Sequence, residues 1–441
     1  MDREIRSLEE AGTWETVQHP HNRNIVGCKW VLQAKCTVEG ALDKRKGHLV
    51  AHGFMQVPGI DFHETYSPVA QMASFRSILV IAACHDWEIE AFNFNLAYLN
   101  GVLDNDKKIY MEEPPSYETG GDKVKQLCKA LYGLKQAGHK WYDALTTALL
   151  DLGFQVSSAN PGVFTTQAGP ELLVLAVHVD DCILTGSLAR LINEYKGELN
   201  KKYTLTDLGP VHWLLGIKVT QNREEHTISL SQLAYINTIL MHFLLTDAKP
   251  VNTPMIPGAT YSKKNCPCSP QEAACMSKVP YCEAIGSLMY ASIATWPDIT
   301  FAVLILSQFL ENPGEAHWAA TKQVFRYLSG TQNLAITYGR DRHSLQGYTD
   351  ADGFSQEPFY AILGHVFLID GGAVSWSLQK QELVTLSTVE AEYVAVTHAA
   401  KEAIWLHRLI GDLHIPTAIA TTLFCDNQAA LHLAKTDNYH I

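Results

Sequence analysis

Apolar positions along the 441-residue chain recur in both regular periods, helical and extended, so the predicted elements alternate in type. Ile5 and Leu8 share one face of a helix expected over residues 1 to about 15. Residues from about 24 to 56 read as strands, with a hairpin loop marked by Gly40 and the charged run Asp43-Lys44-Arg45-Lys46. Ala73 to Cys84 is an apolar helix, Ile89 to Phe94 a strand, and Asn100-Gly101 a turn. A long helix is expected from Leu131 to Leu152, opening at Tyr132-Gly133-Leu134-Lys135. Leu188 to Lys202 reads as a helix, and His226 to Leu245 as a short strand followed by one. Residues 250 to 280 are rich in Pro, Ser, Lys and Cys without periodicity, the composition of a linker, and helices follow to about 330. A new unit then begins near 345, with strands at about 346–350, 363–369 and 373–377, a helix at 388–410 and a strand at 421–426.

The run Leu172 to Leu184 is apolar except at its middle, where Asp180 and Asp181 stand together. A buried strand that turns back at an acidic pair forces two carboxylates together in poor solvent, which costs free energy unless a cation sits there. Mg²⁺ takes oxygen ligands and is held by one or two carboxylates plus substrate phosphates, which points to metal-dependent phosphoryl transfer. A surface Asp-Asp turn joining two strands fits the same residues equally well.

Composition narrows the classes. Hydrophobic residues make up 47% and charged residues 18%, as in a folded chain of more than one domain, which excludes disorder. No stretch of about 18 apolar residues is present, so no membrane-spanning helix is expected. The start, Met1-Asp2-Arg3-Glu4-Ile5, reads as an exposed helix and not as a targeting segment, so a cytoplasmic or nuclear location is expected. The 10 cysteines are scattered, the pattern of free thiols in a reducing compartment. Cys266-Pro267-Cys268, Cys275 and Cys282 match no zinc-site spacing, so no zinc is expected. The net charge of −12 sits badly with a nucleic-acid enzyme, which ordinarily carries a basic footprint.

An ordered set of motifs nevertheless runs through almost the whole chain. It includes Lys29-Trp30-Val31, Gly53-Phe54-Met55-Gln56, Glu64-Thr65-Tyr66-Ser67-Pro68-Val69, Ala97-Tyr98-Leu99-Asn100-Gly101, Leu131-Tyr132-Gly133-Leu134-Lys135-Gln136 and His178-Val179-Asp180-Asp181. In the rear half stand Tyr348-Thr349-Asp350-Ala351-Asp352, Ser375-Trp376-Ser377, Glu390-Ala391-Glu392-Tyr393 and Cys425-Asp426-Asn427-Gln428. In these motifs the chain resembles the reverse transcriptase–RNase H region of copia-type LTR retrotransposon polyproteins.

The resemblance implies an α+β fold: a right-hand polymerase of fingers, palm and thumb over 1–250, a helical connection over 251–342 and an α/β RNase H-like domain over 343–441. It implies RNA-directed DNA polymerase and RNase H activity, with an RNA or DNA template–primer and dNTPs as partners; self-association is compatible with it. Each active site would hold two Mg²⁺ ions, for which Mn²⁺ can substitute. In the palm these lie among three aspartates, two being Asp180 and Asp181. In the rear module the implied ligands are Asp350, Glu392 and Asp426, with Asp352 and Glu390 weaker candidates. Glu390 and Glu392 are two apart on a helix and do not share a face, so only one should reach the metals. Substrate contacts are implied at Lys46, His48, Lys135 and Gln136, and Trp213-Leu214-Leu215-Gly216-Ile217 resembles a primer-contacting hairpin.

The departures from the pattern fall at functional positions. The first palm aspartate is Asn93, in Asn93-Phe94-Asn95-Leu96-Ala97. An amide oxygen is neutral, so one negative charge of the metal clamp is lost. Glu90 lies three residues away and should face the other side of the strand, and Asn95 is also neutral. The arginine that resemblance places on the incoming triphosphate is His48, and histidine, mostly neutral at pH 7, cannot make two parallel bonds to a phosphate. Gly138-His139 stands for the usual Pro-Arg, and Cys282 and Trp296 replace arginines. Each exchange is reachable by one C-to-T or G-to-A change, as in a copy eroded by transitions, which also removes positive charge. The loop after Asp352 has Gly353, Phe359 and Tyr360 where tryptophan and basic residues are usual. The sequence stops at His440-Ile441, before the family's fourth acid. The expectation is an impaired and truncated polymerase, with weak RNase H activity at best; the alternatives are a catalytically dead nucleic-acid binder and an unstable pseudogene product.

Overall fold

The structure is a computed structural model that describes residues 1–36, 42–104, 107–339, 345–352, 360–414 and 420–436. The turn at Gly40, the positions Gly353 and Phe359, and the end at His440-Ile441 lie outside these residues. The chain packs as two compact units, one of residues 1–70, 91–184 and 189–209, the other of 71–90, 185–188 and 210–441.

In the first unit, the helix Asp2–Glu10 buries Ile5 and Leu8. It stops earlier than the apolar spacing suggests: Gly12 takes a φ of +65°, and the strand Trp14–Gln18 follows. That strand enters a four-stranded sheet with Lys123–Leu127, Ile109–Met111 and Ile25–Val26. The long hairpin Cys28–Cys36 and Leu42–Ala51 pairs Val31 with His48. A six-stranded sheet runs in the order Leu205–Pro210, Glu88–Phe94, Asp181–Gly186, Glu171–His178, Val163–Ala168, Gln155–Val156. Against it pack the helices Ala137–Asp151 and Ala189–Lys202, closing a core of Phe92, Phe94, Trp141, Phe164, Leu184 and Ile192.

The helix expected from Leu131 begins only at Ala137. Gly133 has a φ of +95°, which a helix cannot contain, and a Cβ there would stand 2.1 Å from the Ala51 carbonyl oxygen. Ala51 N–H donates to the Tyr132 carbonyl at 2.8 Å, so Tyr132-Gly133 turns against the end of the strand Leu42–Ala51 instead of opening the helix.

In the second unit, the helix Met72–His85 is buried nearly all round. The helices Leu233–His242, Tyr281–Ala294, Thr300–Ser307 and Glu315–Thr331 enclose a core of leucine, isoleucine and aromatic side chains that includes Trp296. Trp213–Leu214 and Ile217–Asn222 form a hairpin whose turn, Leu215-Gly216, has φ of +49° and +78°, the twist-matched two-residue turn. Ile217–Asn222 continues to Thr227–Ser231 and Ile336–Tyr338. A separate sheet orders Gly372–Lys380, Ile362–Ile369, Gln346–Asp352 and Thr422–Phe424, with the 25-residue helix Thr388–Asp412 against it. The expected order of three strands, helix and strand is thus present, followed by a further helix, Gln428–Lys435. No described helix is long and apolar enough to cross a membrane.

Candidate active sites

The strands Glu171–His178 and Asp181–Gly186 meet at a tight turn of Val179 and Asp180. Val179 has a φ of +63°, a costly conformation for a β-branched residue. Two bonds hold the tip. Trp141 Nε1–H donates to the Val179 carbonyl at 2.8 Å, and Phe94 N–H donates to the Asp180 carbonyl at 3.0 Å. The second bond matters for the chemistry, because it seats the end of Glu88–Phe94 beside the acidic turn. Phe92 and Phe94 are in the core, so the alternation of the strand turns Asn93 to the opposite face. Glu90, in phase with Phe92, does not share that face. Asn95 lies in the turn after the strand, its Oδ1 accepting from Thr206 at 2.7 Å.

The charge of the acidic pair is felt around it. Burial and then Asp180 push the hydroxyls of Tyr98 and Tyr132 up, and burial, with Asp181 and Asp180, raises the Cys182 thiol well above its usual range. Tyr98 and Tyr132 meet edge to face at 4.6 Å, and the Tyr132 ring lies 5.8 Å from that of His48. These tyrosines were not singled out by the charge pattern, although both stand in motifs that carried the resemblance. His48 Nδ1 is 3.0 Å from Glu4 Oε1, so its ring is engaged within the protein. Lys46 and Lys135 are exposed. Gln136 is buried: its Oε1 accepts from Gln56 Nε2 at 3.1 Å and its Nε2 donates to the Asp61 carbonyl at 3.2 Å. His139, where an arginine is usual, donates from Nδ1 to the Tyr66 carbonyl at 2.8 Å and lies 3.3 Å from Asp143.

The second group of acids forms on the rear sheet. Gln346–Asp352 and Thr422–Phe424 run parallel with Tyr348 opposite Phe424, so Asp350 and Asp426, each two residues further on, come level. Glu392, on the helix Thr388–Asp412, is 6% exposed. Glu392, Asp426 and Cys425 bring ligand atoms within 4.8 Å of one another. Burial, then the charges of Asp350 and Asp426, push the Glu392 carboxyl up to about 7, against a restraining hydrogen bond from the Ala351 backbone. Burial and the same acids raise the Cys425 thiol. Cys425 is the residue that sequence reasoning missed; its signal was only its place beside Asp426. Glu390 is exposed and serves the helix end: its Oε2 accepts from Leu386 N–H at 2.7 Å, and Ser387 Oγ accepts from Glu390 N–H at 3.2 Å. Asp352 is exposed at the end of its strand.

The chain matches the family described as "Reverse transcriptase (RNA-dependent DNA polymerase)" over residues 11–257. It is 40% identical over 444 residues to the Retrovirus-related Pol polyprotein from transposon TNT 1-94 of Nicotiana tabacum, covering 100% of this chain and 33% of that protein. It is 34% identical over 446 residues to the corresponding polyprotein from transposon RE1 of Arabidopsis thaliana, covering 100% and 30%. The chain thus spans about a third of the length of these curated relatives. A solved foamy viral protease-reverse transcriptase in complex with double-stranded DNA covers 98% of this chain and 64% of its own, at a TM-score of 0.48 and 12% identity. The chain belongs to the reverse transcriptase family.

Proposed function

We propose that this chain is the polymerase and ribonuclease H portion of its parent polyprotein, acting on a template–primer and dNTPs, and that its polymerase activity is limited by Asn93. The functional modules are 1–250, 251–342 and 343–441, a division by descent and distinct from the two packing units. The observation that supports this reading is the Phe94 N–H to Asp180 carbonyl bond at 3.0 Å, which ties the strand carrying Asn93 to the acidic turn.

The donor sets suit a hard divalent cation. Burial, and after it the charges of Asp350 and Asp426, raises the Glu392 carboxyl; an Mg²⁺ ion would relieve the charge part of this, and Asp350, Glu392 and Asp426 offer it oxygen ligands. In the palm, Asp180 and Asp181 would hold it, with Asn93 supplying a neutral oxygen. Bound there, Mg²⁺ would acidify the attacking hydroxyl or water and neutralise charge on the transferring phosphoryl group. Trp141 and Phe94 fix the backbone of Val179 and Asp180, so the Asp180 carboxylate is presented without reorganisation. His48 is engaged by Glu4, its Nδ1 3.0 Å from the Glu4 carboxylate. Exposed Lys46 and Lys135 remain for phosphate contacts, and Trp213 presents an exposed ring at its hairpin. Gln136 acts from within the core as a positioning residue.

Primer extension on an RNA template, with Mg²⁺ and with Mn²⁺, tests the reading. Asn93→Asp is expected to extend the primer where the natural chain barely does. Robust extension by the natural chain would show that Asn93 is tolerated.

A further inference from the structure

Within the second unit, a cavity of about 560 Å³ opens against the first turn of the helix Met72–His85. Its wall includes Gln71, Arg76, Trp376, His398, Lys401 and Glu402, none of which belongs to either acid group. Arg76 is 3% exposed. Its Nη1 donates to the Val374 carbonyl at 2.8 Å and its Nη2 to the Ile293 carbonyl, while the guanidinium lies 3.7 Å over the Trp376 ring. All of these partners are uncharged. Its Nε is buried with no partner among the described residues. Burial without an acid holds this guanidinium down, to about 10. A buried cation left without a counter-charge is costly, and an anion in the cavity would offset that cost.

The other groups in the wall act in the same direction. The helix has 14 residues, and Gln71 gives it no side-chain cap, so the positive end of its dipole faces the cavity without a capping side chain. Lys401 is exposed at the rim. Glu402 is the opposing charge, and one of its oxygens accepts from Ser375 Oγ at 2.5 Å. His398 Nδ1 is 2.9 Å from Gln379 Nε2. His365, also in the wall, has a buried Nδ1 with no partner among the described residues. The volume lies in the range of sites that take a nucleotide-sized ligand.

We propose that this cavity is a phosphate-binding site, in which the Arg76 guanidinium, the uncapped helix end and Lys401 hold a phosphate group of a free nucleotide or of a nucleic-acid backbone.

Calorimetric titration of the full chain tests this with three probes: inorganic phosphate, dAMP and a short RNA–DNA hybrid. Saturable binding of at least one probe, weakened about tenfold or more in Lys401→Gln, is expected, as for loss of one charge-assisted hydrogen bond. Arg76→Gln should weaken it further. Lys401 is exposed, so its variant keeps the fold and decides the matter even if Arg76→Gln melts early. An effect on phosphate and dAMP identifies a small ligand; an effect on the hybrid alone identifies a backbone phosphate. Affinities for all three probes that are unchanged in Lys401→Gln, or no saturable binding at all, overturn the proposal.

Discussion

The palm turn and the rear acid group are built from the same ligand chemistry and differ in where the charge pressure falls. Around Asp180 and Asp181 it falls on neighbours, raising two tyrosines and a cysteine alongside the effect of burial. Around Glu392 burial acts first and the neighbouring charges add to it on a member of the group itself, whose carboxyl rises to about 7. On the reading proposed above, the first has an amide, Asn93, as its third member, and the second has three acids, Asp350, Glu392 and Asp426. A carboxylate-to-amide exchange therefore removes charge while leaving the backbone frame in place: the bonds from Trp141 and Phe94 to the turn use main-chain carbonyls and do not depend on the Asn93 side chain.

The comparison breaks most readily at Asn93. Restoring the carboxylate in Asn93→Asp should raise primer extension by two orders of magnitude or more, on the scale of the several kcal/mol that metal charge neutralisation supplies. Cleavage of the RNA strand of a hybrid should not change. The converse experiment is Glu392→Gln, which imposes on the rear group the state the palm already has. We expect loss of hybrid cleavage by on the order of 100-fold, with primer extension by the Asn93→Asp chain retained. If Glu392→Gln abolishes both activities equally, the two sites are not independent, and the contrast drawn between them fails.

A smaller effect concerns stability without metal. The ordinary value for glutamate is 4.5, and in the folded chain that of Glu392 is about 7. Below the lower value the group is protonated in both states and costs nothing. As pH rises from 4.5 to 7 the unfolded chain gives up its proton first, so folded-state stability falls across this window and stays lower above it. Melting temperature in a chelator should therefore decline over that range, and Glu392→Gln should flatten the decline. Added Mg²⁺ should raise melting more at about pH 8 than at about pH 5, because its ligands must be deprotonated.

How much of this could be read in advance varies by element. The acidic turn, the strand before it and the helix Thr388–Asp412 carried strong periodic signals, and the acids stood in recognisable motifs. The strand Ile25–Val26 did not, because a two-residue strand has no period and this one owes its existence to the distant partner Tyr110-Met111. The start of the helix Ala137–Asp151 was misplaced because the apolar spacing runs through Gly133, whose left-handed backbone is set by the neighbouring strand at Ala51. Gln136 carried a polar, surface-like signal yet is buried, since Gln56 and the Asp61 carbonyl satisfy its amide. Arg76 was hidden for a related reason: its carbonyl and aromatic partners lie 217 to 300 residues away, so no local pattern announces a buried guanidinium.

The smallest effect probes the frame, independent of charge. Trp141 has 2% exposure and one polar task, the bond to the Val179 carbonyl. Trp141→Phe keeps most of the packing against Phe94 and Tyr203 and removes that bond, at a cost of about 1 kcal/mol. The turn holds a valine at positive φ, so with less restraint it should relax toward commoner backbone conformations and carry Asp180 with it. In the Asn93→Asp background, primer extension should fall about fivefold, the factor that 1 kcal/mol represents, while hybrid cleavage at the rear group stays the same. A loss in both activities would mean that Trp141 supports the first unit's core at large. A loss in extension alone would show that the palm site depends on a strained turn held by its neighbours, whereas the rear group depends on acids that a helix and two strands bring together.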